Sequence, residues 1–143
     1  MFKMIIVPVD PGEPKFSAPA IEAASRFARD YGSSLRLVAV LAHSQGFVAS
    51  YLPADFEEKA ISDTRAMLDD LAHGLGLPKD KIAVSVRIGS IYHEVIEEAR
   101  DAEADLIVME SHRPDLSTYL LGSNAAKIVR HSTCSVMVLR PSK

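Results

Sequence analysis

Short apolar runs alternate along this chain with longer stretches whose hydrophobic residues recur at three- and four-residue spacing. That pattern predicts repeated strand–helix units around a mostly parallel sheet. The first run, Met4-Ile5-Ile6-Val7-Pro8-Val9, contains a proline that cannot donate to a sheet ladder, so pairing should end near it and leave Val9 and Asp10 at the strand's carboxyl lip. Pro11 to Pro14 then reads as a loop. Ile21, Ala24, Phe27, Ala28 and Tyr31 share one helical stripe, with Ser17 as N-cap and Gly32 as the stop, which predicts a helix over 17–31. Leu35 to Leu41 is almost unbroken apolar sequence and predicts a strand buried on both faces.

From His43 to Pro53 the pattern dissolves and predicts an irregular connection. Asp55 followed by Glu58 resembles a capping box, and Phe56, Ala60, Thr64, Met67, Leu68, Leu71 and Leu75 continue it as a long amphipathic helix ended by Gly74, Gly76 and Pro78. Ile82, Val84, Val86 and Ile88 alternate with Ala83, Ser85 and Arg87, the period-two signature of a strand less buried on one side and so at a sheet edge. Ser90 should cap a third helix with Ile91, Val95, Ile96 and Ala99 inward, ending near Ala102. Leu106 to Met109 is a fourth strand, Glu110 to Thr118 a polar loop, and a fourth helix follows Gly122-Ser123-Asn124 with Ala125, Ile128 and Val129 inward. Cys134 to Leu139 makes a fifth strand. The fold class is therefore α/β, an open five-stranded parallel sheet with helices on both faces. Two sheet orders fit, 3-2-1-4-5 and the flavodoxin-type 2-1-3-4-5, and a second strand that reads as buried with a third that reads as an edge favours 3-2-1-4-5. The winding then reverses between strands one and four, and ligands of open α/β sheets bind in the crevice at such a point.

Composition narrows the function classes. The 143 residues suit one domain, 1–143, and 48% hydrophobic with 24% charged is the balance of a folded chain. With 16 basic and 19 acidic residues, net charge −3 and no block of one sign, the chain has no electrostatic footprint for nucleic acid or an anionic membrane. No apolar run approaches the roughly 20 residues of a membrane span, and no leader is visible ahead of the first strand, so a cytoplasmic location is expected. The single cysteine, Cys134, heads an apolar run and is read as a packing residue.

Candidate chemistry is concentrated at the two lips of the expected crevice. The start of the fourth helix, Gly122-Ser123-Asn124, offers free N–H groups and side-chain donors to an anion. His112 and Arg113 could add positive charge. The same residues also read simply as a turn and a helix cap. Asp10 suits a ribose hydroxyl or a phosphate-bound metal, and equally the N–H groups of its own loop. Other motifs fail in context. No Walker A loop is present, and Gly74-Leu75-Gly76 follows a helix instead of a strand. His93-Glu94 lacks the second histidine of a zincin, five scattered histidines do not form a metal site, and no nucleophile elbow accompanies Ser111 and His112.

Across essentially its whole length the chain resembles the universal stress proteins, through Ile6-Val7-Pro8-Val9-Asp10, the helix start from Ser17 to Ala24, and the half from Leu106 to Leu139. The loop Ser111-His112-Arg113-Pro114-Asp115-Leu116-Ser117-Thr118-Tyr119-Leu120-Leu121-Gly122-Ser123-Asn124 looks most like the F/G-type bacterial branch. The resemblance implies ATP as ligand, with or without Mg2+, and a nucleotide-responsive stress-resistance module whose ATPase or autophosphorylation activity is at most weak. It places adenine against Pro8, Val9 and the backbone of Val40, ribose near Asp10, Met109 in the pocket lining, Ser111, His112 and Arg113 beside the phosphates, and Gly122, Ser123 and Asn124 holding them. It also implies a homodimer through the final strand, with a tetramer allowed, and protein partners of unknown kind. The ATP-binding pattern G-x2-G-x9-G-[ST] is incomplete here. Aligned by the end of the strand, its first two glycines fall on Glu110 and Arg113, and aligned without a gap they fall on Met109 and His112. Glu110 is then expected to repel a triphosphate. The alternative function is a nucleotide-free oligomeric scaffold or protein-binding module of the same family, and a small-anion sensor using the same crevice is a third.

Overall fold

In the computed structural model of the chain, which describes residues 2–42, 52–111 and 122–140, and of Gly122 and Ser123 the backbone alone, five parallel strands form one sheet in the order β3-β2-β1-β4-β5. The strands are β1 (Met4–Pro8), β2 (Ser34–Leu41), β3 (Ile82–Ile88), β4 (Leu106–Glu110) and β5 (Ser135–Leu139), and the helices α1 (Ala18–Tyr31), α2 (Phe56–His73), α3 (Ile91–Asp101) and α4 (Gly122–His131). The expected irregular stretch 43–53 lies mostly outside the described residues.

Strand alternation divides the core in two. Ile5, Val7, Val9, Leu35, Leu37, Ala39, Leu106 and Val108 pack against Ala20, Ile21, Ala24, Leu68 and Ala72 of α1 and α2. Ile6, Val38, Val40, Ile107 and Met109 pack on the opposite face against Val95, Ala99, Ala125 and Ile128 of α3 and α4. Covering both faces is what a parallel sheet requires, and it explains the unbroken apolar runs of β1, β2 and β4. Cys134 is half-buried against the α3/α4 layer, with Ser132 Oγ 3.3 Å from its sulfur.

Three inward assignments and three caps are corrected. Tyr31 is 54% exposed, stacked on Phe27 in the last turn of α1; Phe56, first in α2, is 43% exposed; and Val129 is 54% exposed because α4 buries only the narrow stripe of Ala125 and Ile128. Ser17, Asp55 and Ser90 precede α1, α2 and α3, but none makes a side-chain cap hydrogen bond. A 3-10 turn, Pro14–Ser17, runs directly into α1, and Ser17 Oγ is turned back to accept the Asp10 N–H at 3.3 Å.

At the β3 edge the layer under α3 is ionic. Ser85 and Arg87 of β3 and Arg36 of β2 converge on Glu98 of α3, at 2.8, 2.7 and 2.8 Å, and Arg87 also reaches Glu94 at 3.0 Å. Burial opposes ionisation of Glu98, whose side chain is 3% exposed, but hydrogen bonds from Arg87, Arg36 and Ser85 outweigh it and hold the carboxyl below the usual range. A lowered carboxyl pKa contributes stability that is complete above the unfolded-state pKa and lost as pH falls through the folded one. Glu98→Gln should therefore lower unfolding free energy by about 3 kcal/mol at pH 7, where it leaves two guanidinium groups short of a buried counter-ion. The deficit relative to wild type should shrink as denaturant melts are taken toward pH 3, and an unchanged deficit would show that charge is not what Glu98 supplies.

Candidate functional site

Strand β1 pairs with β2 on one side and with β4 on the other, and Ile5 and Ile6 stand opposite Leu106 and Ile107. The two strands are parallel, so their carboxyl ends lie side by side, and the direction of winding reverses between them, so the segments leaving them diverge. Pro8, Val9 and Asp10 form one lip, and Met109, Glu110 and Ser111 the other. Val9 is bound to β2 through its N–H to the Val38 carbonyl at 2.8 Å, and Ser111 donates to the Leu139 carbonyl of β5 at 2.8 Å.

Side chains from these lips go to different layers. Val40 and Met109 are buried together on the α3/α4 side, whereas Val9 is buried on the α1/α2 side. Asp10 is 4% exposed; its Oδ1 accepts the Gly12 N–H at 2.8 Å and its own N–H donates to Ser17. One of its oxygens thus closes an Asx turn, so the loop-satisfying reading of Asp10 holds for that atom. Ser111 is half-buried. Gly122, Ser123 and Asn124 are the first three residues of α4, not the approach to it, and Asn124 is half-buried. N–H groups in a first turn have no intrahelical acceptor, and the helix dipole makes that end attractive to an anion. His112 and Arg113 lie outside the described residues, so the sheet brings together Pro8, Val9, Asp10, Val40, Met109 and Ser111.

Glu110 is the residue that sequence reasoning misplaced. It is the last residue of β4, not the first of a polar loop, and it is only 3% exposed. By alternation with Leu106 and Val108 it faces the α1/α2 layer, where it accepts a hydrogen bond from the Ala20 backbone N–H in the first turn of α1. The cap that Ser17 does not supply therefore comes from β4, and the carboxylate is turned away from the α4 face. Burial pushes the Glu110 carboxyl above the usual range, the Ala20 N–H offsets that only in part, and Oε1 is buried with no hydrogen-bond partner. A charged residue ending the apolar run Leu106-Ile107-Val108-Met109 was the available signal.

Among the described residues no three His, Cys, Asp or Glu side chains come together as a metal site, so a Mg2+ arriving with a nucleotide would rely on the phosphates with at most Asp10 from these residues. A cleft of about 450 Å³ lies between α1 and α2, lined by Ala18, Ile21, Ser25 and Leu71 and, at one end, by Pro14 and Lys15. No helix of the described residues is long and apolar enough to cross a membrane.

The model of the universal stress protein family matches residues 1–140. Universal stress protein G of Shigella flexneri is 36% identical over 143 residues, covering 98% of this chain and all of the relative, and that of Salmonella typhi is 35% identical over the same span. Among solved structures, a universal stress protein in complex with cAMP superposes with a TM-score of 0.71 at 20% identity, covering 99% of each chain.

A raised carboxyl pKa gives stability that is complete below the unfolded-state pKa and lost as pH rises through the folded one. Glu110→Gln keeps the Ala20 acceptor without the charge, so it should raise unfolding free energy by about 1 kcal/mol at pH 7.5 and leave it unchanged near pH 4. Thermal melts across pH check this, and a variant less stable than wild type at pH 7.5 would contradict it.

Proposed function

The chain belongs to the universal stress protein family, and from that premise we propose that it binds ATP in the crevice between the β1 and β4 lips and acts as a nucleotide-responsive stress-resistance module. The observation that carries this reading is the reversal of winding between β1 and β4, with a buried aspartate directly after β1 and, following β4 in the chain, a fourth helix that begins at Gly122-Ser123-Asn124. In this reading adenine rests on the Pro8-Val9 backbone and beside Val40, Asp10 accepts from the ribose hydroxyls, and Met109 closes the floor. Ser111, His112 and Arg113 flank the phosphates, and the first turn of α4 holds them. Mg2+ rides on the phosphates. The cAMP complex of the structural relative supports a nucleotide as the class of ligand.

Glu110 bears on the missing glycine of the phosphate loop. Its carboxylate is turned toward α1, which removes the expected repulsion from the phosphate side. Among the described residues the site includes no group identified as a general base, and in this reading turnover is weak at most and the effect of ATP is on shape and partners. Strand β5 is bonded to β4 on one side, and Val138 is 37% exposed. A second copy pairing along that strand to make a cytoplasmic homodimer would cover it.

Isothermal titration calorimetry with a nonhydrolysable ATP analogue should give measurable affinity in wild type and at least a tenfold loss in Asp10→Ala and in Gly122→Leu. Gentle purification followed by native mass spectrometry should find an adenine nucleotide bound. Empty protein with no thermal shift on adding ATP would instead identify the nucleotide-free scaffold.

A further inference from the structure

We infer that the groove between the start of α3 and the last two turns of α4 is a phosphate-binding site, separate from the crevice and selective for small, multiply charged anions. It encloses about 340 Å³ and is lined by Tyr92, Ala126, Lys127, Arg130 and His131, with no carboxylate in the lining. Positions 126, 127, 130 and 131 fall on one stripe of α4, and the small Ala126 leaves room at its centre. Lys127 Nζ lies 5.0 Å from the Tyr92 ring centroid, and the His131 ring is 6.1 Å from it.

Three features turn this cluster into a site. First, the acids of α3 that could neutralise it are committed elsewhere: Glu94, Glu98 and Asp101 to Arg87, and Glu97 to Arg100 at 2.7 Å. None of the ion pairs among the described residues includes Lys127, Arg130 or His131. Second, on a chain of net charge −3, α4 carries Lys127, Arg130 and His131 with no acidic residue at all. The negative end of the α4 dipole accounts for basic residues in its last turn, but not for Lys127 one turn earlier, held over an aromatic ring. Third, the volume is within the range of small-ligand pockets, about 300–1,000 Å³.

The arrangement also selects the ligand class. A phosphate ester carries roughly −1.5 to −2 charge at neutral pH, which matches a guanidinium fork and an ammonium presented together better than a single carboxylate does. With Lys127 on its ring, Tyr92 is a wall and not a stacking platform, so recognition is by charge and not by a base. The centre of the groove, between Lys127 and Arg130, lies about 8 Å along α4 from Ser123, at the helical rise of 1.5 Å per residue, which is farther than a single phosphate group spans.

Titration of labelled wild-type protein with inorganic tripolyphosphate and, separately, ribose 5-phosphate should move the amide signals of Tyr92, Lys127, Arg130 and His131, also in Gly122→Leu, the variant expected to weaken the phosphate end of the crevice. Lys127→Ala/Arg130→Ala, with both side chains exposed, should melt like wild type and bind at least tenfold more weakly. Response to tripolyphosphate alone assigns the groove to polyphosphates, and response to both assigns it to phosphate esters as well. No response to either probe, shifts confined to Gly122–Asn124, or equal affinity in the double variant would overturn the assignment.

Discussion

The pairing of β1 with β4 is the constraint on which the rest of the molecule hangs. It places the first strand at the centre of the sheet, with β2 on one flank and β4 on the other, so that helices must cover both faces. It also creates the reversal that opens the lips. Each lip ends in a buried carboxyl residue, Asp10 after β1 and Glu110 at the end of β4, at 4% and 3% exposure. Each anchors the approach to α1, Asp10 through Gly12 and Ser17 and Glu110 through Ala20. The two lips are therefore tied to the same helix start, and a ligand wedged between them acts on a structure already braced from both sides.

Two buried glutamates show how neighbours decide the fate of one residue type. Glu98 meets two arginines and a serine hydroxyl and is held ionised, whereas Glu110 meets one backbone N–H and keeps an oxygen without a partner. The difference comes from the strands. At the β3 edge the alternating pattern admits Arg87 and Ser85 to the inner face, but β4 is buried throughout and offers its carboxylate only a helix terminus. Edge position thus permits a charge network where the central strands could not solvate one.

Much of the fold was legible because a sheet of buried strands writes itself as apolar runs, and the strand ends fall within one residue of where those runs stop. The caps were not legible. A serine or aspartate before a helix signals a local hydrogen bond, but Ser17 is recruited by Asp10 and the Ala20 N–H by Glu110 from a distant strand, and no local pattern records such partners. Val129 was misread for a related reason: how wide a stripe a helix buries depends on what it packs against, and α4 is an outer helix beside β5. Pro8, Asp10, Val40 and Met109 could be placed at one end of the sheet from strand order alone, whereas the part each plays toward a nucleotide rests on family resemblance.

Helix α4 gathers opposite electrostatics onto one short element. Its first turn lies where the dipole is positive, Arg130 and His131 lie in its last turn where the dipole is negative, and Lys127 stands one turn earlier. The first arrangement is a property of backbone and needs only small residues, which the Gly-Ser-Asn start provides. The second is a property of side chains, and there the cations must overcome the local dipole before they can attract anything else. Each added ligand charge gains from every cation in the groove and is opposed by the dipole in proportion, so the gain grows with ligand charge because the cations outweigh the roughly half charge of the helix end. Between the two ends, Ala125 and Ile128 seat the helix in the same buried cluster as Met109, so both ends are held by one shared contact with the sheet.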